Sequence, residues 1–230
     1  VRAFLLAAGV GSRLRPITDT IPKCMLTVGG RPLLEIWLDA FAQAGVDEVL
    51  VNLHHLPDIV RGYLAARTGP PAVVTSYEPQ LLGSAGTLAA NRDWVAGEDF
   101  FLACNADNLT DFDLRSLIKT QREHQPVATL GVFHSATPST GGVVEADETG
   151  TITSFTEKPE HPVSDLVNAG LYAFNPSLLD EITGEPPRDI GYHLLPGLTG
   201  RAKVVLVDGY FLDIGTPDAY RQACEEWTAR

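Results

Sequence analysis

The sequence is short of basic residues: 17 Lys and Arg stand against 29 Asp and Glu, a formal net charge of −12. That average field argues against a nucleic-acid binder, whose phosphate contacts want a basic face. Cysteine is scarce as well. Cys24, Cys104 and Cys224 are odd in number and too scattered for a zinc or redox motif, and they read as reduced, mostly buried thiols. No window approaches the about 18 consecutive apolar residues of a membrane span. The N-terminus enters an apolar run and then a glycine loop with no small-residue cleavage site, so a cytoplasmic protein is expected. Repeats, low-complexity runs and long linkers are missing too. The 230 residues therefore read as one domain, able to bury roughly 70% of its unfolded surface without disulfide staples.

What is present is an alternation of strand and helix patterns. Arg2–Ala8, Glu48–Leu53, Ala72–Ser76, Phe100–Cys104 and Val127–Phe133 read as strands. Between them Pro32–Ala44, Pro57–Ala66, Ser84–Asp93 and Asp113–His124 have helical spacing. Strands separated by single helices imply βαβ crossovers and a largely parallel sheet. After about residue 134 the pattern changes. Gly141–Glu145 and Ile152–Phe155 flank the turn Asp147-Glu148-Thr149-Gly150, Asn168–Phe174 and Lys203–Val207 are further strands, and Pro217–Trp227 is a last helix.

The first strand runs into Ala7-Ala8-Gly9-Val10-Gly11-Ser12-Arg13-Leu14-Arg15-Pro16. Glycines directly after a buried strand let backbone N–H groups approach a phosphate. A dinucleotide loop would need a third glycine where Leu14 stands, and Pro16 breaks the helix that should follow. The Gly-Lys-Ser/Thr of a P-loop does not occur in the chain. A longer triphosphate loop, in which Arg13 and Lys23 supplement the backbone, remains, beside the plainer reading of a tight turn with solvated cations. The acidic average hides a local exception that suits an anion: residues 1–34 hold Arg2, Arg13, Arg15, Lys23 and Arg31 against Asp19 alone. Asp107 and Asp213 each lie where a strand gives way to a turn, so each reads either as a ligand-site acid or as a turn or N-cap residue.

Gly9-x-Gly11-Ser12-Arg13-Leu14-x-Pro16, followed by Thr18, Pro22 and Lys23, closely resembles the signature of the sugar nucleotidyltransferase family. That family includes glucose-1-phosphate thymidylyltransferases, mannose- and heptose-1-phosphate guanylyltransferases and N-acetylmuramate-1-phosphate uridylyltransferases. The resemblance recurs in order at Gly83–Gly86, Asn105–Asp107, Gly141–Glu145, Glu157–Pro159, Asn168–Gly170 and Asp213–Thr216, covering nearly the whole chain. It implies an α/β fold: a three-layer, Rossmann-like sandwich with a mostly parallel mixed sheet, of the nucleotidyltransferase (GT-A-like) type. Residues 1–134 would form mainly the nucleotide-binding half and 135–230 mainly the sugar-phosphate-binding half.

The implied reaction joins a nucleoside triphosphate to a sugar 1-phosphate with release of pyrophosphate. The resemblance puts Mg²⁺ on Asp107 and Asp213, Arg13 on the triphosphate and leaving group, and Lys23 on the α-phosphate or pyrophosphate. Ala7, Ala8, Gly9, Gly11, Ser12, Arg13, Lys23, Glu78, Gly83 and Ser84 are the implied nucleotide site. Gly142, Glu157, Lys158 and Asn168 are the implied sugar-phosphate site, although Glu-Lys-Pro as a bare motif is more often a surface turn. Glu78 is expected at the base edge, where a carboxylate can pair with the adjacent N1–H and N2–H donors of guanine. A solvated loop acid is its plainer reading. Base choice leans to GTP and sugar choice to mannose or heptose type; UTP, dTTP or a non-catalytic regulatory subunit are the alternatives. Ala106 and Asn108 depart from the commoner Gly-Asp pair, and Asn108 could alter contacts around the metal. The chain ends after one helix, so the acetyltransferase and allosteric domains of longer relatives are not expected. The expected partners are the two substrates, with no nucleic acid and no membrane, and the resemblance admits a homo-oligomer.

Overall fold

In the computed structural model, which describes residues 1–227, the opening apolar run is strand β1 (Arg2–Leu6), with Ala3, Phe4 and Leu5 wholly buried. A hairpin of β2 (Thr27–Val28) and β3 (Arg31–Pro32) leads into helix α1 (Leu33–Gln43). Leu34, Trp37, Leu38 and Phe41 recur at helical spacing, so α1 buries a single apolar stripe. Strand β4 (Glu48–Leu53) follows, then α2 (Pro57–Ala66), with proline where its missing N–H costs nothing, and β5 (Ala72–Tyr77). Next come α3 (Ser84–Ala90), α4 (Arg92–Val95), β6 (Phe101–Asn105), β7 (Asn108–Thr110), α5 (Arg115–His124) and β8 (Ala128–His134). The chain continues through β9 (Gly142–Ala146), β10 (Ile152–Glu157), β11 (Leu166–Phe174), β12 (Ala202–Leu206), β13 (Phe211–Asp213) and α6 (Pro217–Glu226). Parallel and antiparallel pairs together give a mixed α/β sheet. No helix among the described residues is long and apolar enough to cross a membrane.

The expected helix over Ser84–Asp93 is two helices, broken at Asn91. Its side-chain Nδ2 donates to the carbonyl of Thr87 at 2.8 Å, the kind of local bond that competes with helical pairing.

Contacts gather the residues into two compact units, neither a single stretch of chain. The first holds Val1–Leu81, Cys104–Asp113 and the described residues from Gly209 onward; the second holds Leu82–Ala103 and Leu114–Asp208. In the first, β1 pairs in parallel with β4, and β4 with β5. That register brings the carboxyl ends of three strands side by side, the edge at which open α/β sheets bind ligands. A separate ladder joins β7 to β13, pairing Asn108 with Asp213 and Leu109 with Leu212. Leu14, Leu26, Val28, Leu33, Leu109, Ile214 and Ala223 form one buried cluster. The glycine loop, through Leu14, and the β7–β13 ladder, through Leu109 and Ile214, are thus anchored in the same apolar core.

In the second unit β8 pairs antiparallel with β11 and parallel with β12, while β9 pairs antiparallel with β10 and β11. Helix α5 packs on β8, β11 and β12 through Leu117 and Ile118. Its buried Gln121 is satisfied on both sides, donating to the Pro126 carbonyl and accepting from Thr129.

Trp37 Nε1 donates to the carbonyl of Asn108 at 2.9 Å and so fixes the start of β7 from below. Replacing Trp37 with Phe removes that donor and is expected to lower stability by about 1–3 kcal/mol, read from urea unfolding.

Candidate active site

Three carboxyl-end residues of the first unit are joined by one side chain that the sequence reading did not single out. Asn52 is buried near the end of β4. Its Oδ1 accepts from the N–H groups of Ala7 (2.6 Å) and Ala8 (3.2 Å), and its Nδ2 donates to Glu78 Oε1 (2.8 Å). The amides of Ala7 and Ala8 are thus engaged by Asn52. Glu78, directly after β5, is only 2% exposed, so it is not a solvated loop acid. Its backbone carbonyl accepts from His54 Nδ1 at 2.8 Å. The signal for Asn52 was an amide interrupting the apolar run Val49-Leu50-Val51-Asn52-Leu53, since a buried polar residue is more informative than a buried apolar one.

The glycine loop folds back on itself through three short helical turns, Ser12–Leu14, Ile17–Asp19 and Lys23–Met25. Gly11 is left-handed (φ 67°), and a Cβ there would stand 2.9 Å from Thr18 Cγ2. Thr18, itself buried, donates its hydroxyl to the Gly11 carbonyl (2.8 Å), and the Thr18 carbonyl lies 2.7 Å from His55 Nε2. That ring nitrogen must carry the proton, because a carbonyl only accepts. Gly9 differs from Gly11. Its φ is not left-handed and a Cβ there would meet nothing within 4 Å, so no contact in the fold demands a glycine. It lines an open pocket together with Leu6, Ala7, Lys23, Cys24, Ala106 and Asp107.

Lys23 is the cation lining that pocket, and Asp107 its counter-charge. It is 8% exposed, its Nζ lies 2.5 Å from Asp107 Oδ2, and Asp213 Oδ1 lies 4.0 Å away. The two aspartates meet because the Ile214 N–H donates to the Asp107 carbonyl (2.8 Å), extending the β7–β13 ladder by one bond. Asp111 closes the other end by accepting from the Tyr210 N–H (2.7 Å). Asn108, the departure beside the acid, heads β7 opposite Asp213 and is buried. Arg13 approaches the same turn: a Cβ on Gly215 would stand 2.8 Å from Arg13 Nη2 and 3.1 Å from Asp213 Oδ1. Gly215 therefore leaves room for a guanidinium beside the second aspartate. Ser12 is exposed in the loop, and Arg15 pairs on the surface with Asp19.

Two carboxylates within 4.0 Å of one ammonium are a donor set that suits a hard, oxygen-seeking cation such as Mg²⁺. No cluster of three or more His, Cys, Asp or Glu occurs among the described residues, so a softer, protein-saturated metal centre has no ligand set there. Cys24 lines the pocket but is inert as a nucleophile, since burial pushes its thiol up to about 12.

The second unit carries the other predicted residues. Gly83 is left-handed (φ 77°), and Ser84 begins α3. The Arg188 carbonyl accepts from the N–H groups of Ala85 (3.0 Å) and Gly86 (3.1 Å), and a Cβ on Gly83 would run into the Arg188 backbone. Ser84 Oγ accepts from the Ile190 N–H (2.8 Å) and lies 3.2 Å from Asp189 Oδ1. The Leu-Gly-Ser-Ala-Gly turn is thereby stitched to the segment Arg188–Ile190. Gly142 opens β9 directly opposite Glu157, the last residue of β10. Lys158 follows in a left-handed conformation (φ 47°), with its N–H on the Gly141 carbonyl (2.9 Å). A non-glycine residue at positive φ is uncommon and marks a position held by its surroundings. Asn168 sits at the irregularity where the β11–β8 register shifts, donates to the Tyr172 hydroxyl (2.7 Å), and accepts from the Gly170 N–H (3.1 Å). Irregular strand pairing of this sort re-aims side chains. Burial pushes the Glu157 carboxyl up, opposed by the Lys158 ammonium and reinforced by Asp189.

The nucleotidyl transferase family matches residues 2–230. The chain is 34% identical over 221 residues to the mannose-1-phosphate guanylyltransferase catalytic subunit beta of Drosophila melanogaster, covering 94% of this chain and 60% of that protein. It is also 34% identical over 242 residues to the UTP–glucose-1-phosphate uridylyltransferase of Synechocystis sp., covering 97% and 62% respectively. The chain thus spans less than two thirds of the length of these relatives. Among solved structures, UDP-glucose pyrophosphorylase from Acinetobacter baumanii shares the fold, with a TM-score of 0.85 at 21% identity over 97% of this chain and 91% of that one.

Two outcomes follow from the site's hydrogen bonds and charges. Asn52→Asp sets a second carboxylate against Glu78 and is expected to raise the KM for nucleotide by about tenfold or more. Adding Glu78→Gln restores a donor–acceptor pair with the roles exchanged and should recover most of the lost melting temperature; steady-state kinetics and thermal unfolding check both. Glu157 bears on pH. Its folded pKa lies above the ordinary value, so the unfolded chain releases the proton first, and stability is lost as pH rises through these values. Glu157→Gln is therefore expected to raise the melting temperature at pH 7, with the difference from wild type fading below the usual glutamate range.

Proposed function

Since this chain belongs to the nucleotidyl transferase family, we propose that it transfers a nucleoside monophosphate from an NTP, GTP in preference, to a sugar 1-phosphate of mannose or heptose type. The products are an NDP-sugar and pyrophosphate. The observation that carries this reading is Lys23, buried at the glycine loop and flanked by Asp107 and Asp213. It supplies a fixed cation and two carboxylates at a pocket whose glycine, Gly9, is not required by packing.

A sugar 1-phosphate has a second pKa of about 6 and is largely a dianion at neutral pH. Its phosphate oxygen attacks the α-phosphorus without a general base; the new O–P bond forms as the bond to pyrophosphate breaks, and the electron pair leaves with pyrophosphate. What the protein must supply is positioning and charge. Arg13 and Lys23 meet the triphosphate and the negative charge that develops on the departing pyrophosphate. Gly9, Gly11 and Ser12 admit the phosphates to the backbone, and Ala7 and Ala8 are held in place by Asn52. Glu78, with Gly83 and Ser84, serves base recognition. Lys158 holds the phosphate of the sugar 1-phosphate, and Gly142, Glu157 and Asn168 hold its hydroxyls. Asp107 and Asp213 would hold Mg²⁺, which when bound neutralises phosphate charge and polarises the phosphoryl oxygens.

A UTP-dependent reaction with glucose 1-phosphate is the second reading, favoured by the uridylyltransferase relative.

Pyrophosphate release is to be measured with Mg²⁺ for GTP, UTP, dTTP, ATP and CTP against mannose, glucose and heptose 1-phosphates. The highest rate is expected for GTP with a mannose- or heptose-type acceptor; a maximum at UTP with glucose 1-phosphate selects the second reading. Folded protein silent across the matrix would mark a regulatory subunit. Asp107→Ala and Asp213→Ala are each expected to reduce kcat by at least about two orders of magnitude. Near-normal turnover in either variant removes that residue from the metal site.

A further inference from the structure

Glu157 is held between two glycines. On one side the β9–β10 register sets Gly142 opposite it, and a Cβ on Gly142 would stand 2.7 Å from Glu157 Oε2 and 2.5 Å from Phe155 Cζ. On the other side is Gly191, buried in the helical turn Ile190–Leu194. A Cβ on Gly191 would overlap Glu157 Oε2, with Cδ at 2.8 Å and Oε1 at 3.4 Å. The three atoms nearest to that Cβ all belong to the Glu157 carboxylate.

The reason for a glycine at 191 differs from that at 142. The φ of Gly191 is not left-handed, so its backbone is open to any L-residue. Gly142 is also crowded by an aromatic ring, whereas the three atoms closest to a Cβ on Gly191 are all of one carboxylate. Desolvating a carboxylate is costly, so a slot built to accept one and keep it half-buried calls for a ligand donor.

We propose that Gly191 is a specificity-determining positioning residue: the absence of a side chain at 191 sets the depth of the Glu157 carboxylate, and so selects which sugar hydroxyls it can accept from. The proposal rests on the reading of Glu157 as the acceptor for sugar hydroxyls. It adds that the selecting geometry comes from the turn Ile190–Leu194.

Gly191→Ala tests it cleanly, because the added methyl displaces the end of a flexible side chain and not backbone. The KM for the sugar 1-phosphate is expected to rise by about tenfold or more, with the nucleotide KM within about twofold. The order of preference among sugar 1-phosphates differing at one hydroxyl is expected to change. Glu157→Asp, one methylene shorter, is expected to impair the wild type yet to restore at least part of the sugar affinity in the Gly191→Ala background. An unchanged sugar KM and preference, an equal rise in both KM values, or no rescue by Glu157→Asp would overturn the proposal. If the wild type turns over no sugar 1-phosphate, the proposed reaction fails, and the geometry is then read by carbon-13 NMR titration of the Glu157 carboxyl. In Gly191→Ala its pKa should fall towards the ordinary glutamate value as the carboxylate moves into solvent; an unchanged titration contradicts the slot.

Discussion

Lys23 and Asp107, 2.5 Å apart in the pocket wall, are the pair around which the first unit is arranged. A buried ammonium is expensive without a counter-charge, and a lone aspartate beside phosphates would repel them. Together they can form only if the glycine loop and the end of β6 meet. Leu14 and Leu26 hold the loop to Leu109 and Ile214, and the β7–β13 ladder carries Asp213 to within 4.0 Å of the same ammonium. An acidic average charge and a basic loop are therefore compatible, since Lys23 is met by its own counter-charge.

The second unit meets a different constraint. The residues proposed to hold the sugar 1-phosphate lie at ends and irregularities of strands: Glu157 at the end of β10, Lys158 at positive φ, and Asn168 where the β11 register shifts. Positive φ is an uncommon conformation for Lys158, and burial pushes the Glu157 carboxyl up. An acceptor of sugar hydroxyls, the role proposed for Glu157, is served by a partly desolvated carboxylate held at some cost in stability.

Much of this was legible in the chain. Glu48–Leu53 and Pro57–Ala66 fall where apolar runs and helical spacing put them. The hairpin around Asp147–Gly150 likewise follows from its turn residues, and Gly150 N–H closes on the Asp147 carbonyl at 2.9 Å. The loop, the two aspartates and Glu-Lys-Pro stood out by type and order. Other features had no local signal. β7 and β13 are three residues each, too short to show a period, and exist because residues far apart in sequence pair. Asn52 did leave a trace, a polar residue inside an apolar strand, but its three hydrogen bonds depend on which strands lie side by side. Gly191 left none, since the space it yields is taken by a side chain 34 residues earlier in the chain.

The proposed reaction proceeds by charge and position, with no side chain acting as nucleophile; burial pushes the thiol of Cys24, in the pocket, up to about 12. The most direct measurement is exchange of radiolabelled pyrophosphate into the NTP, with and without the sugar 1-phosphate. Direct displacement predicts label in the NTP only when the sugar 1-phosphate is present. Exchange in its absence would require a nucleotidylated enzyme and contradict the account.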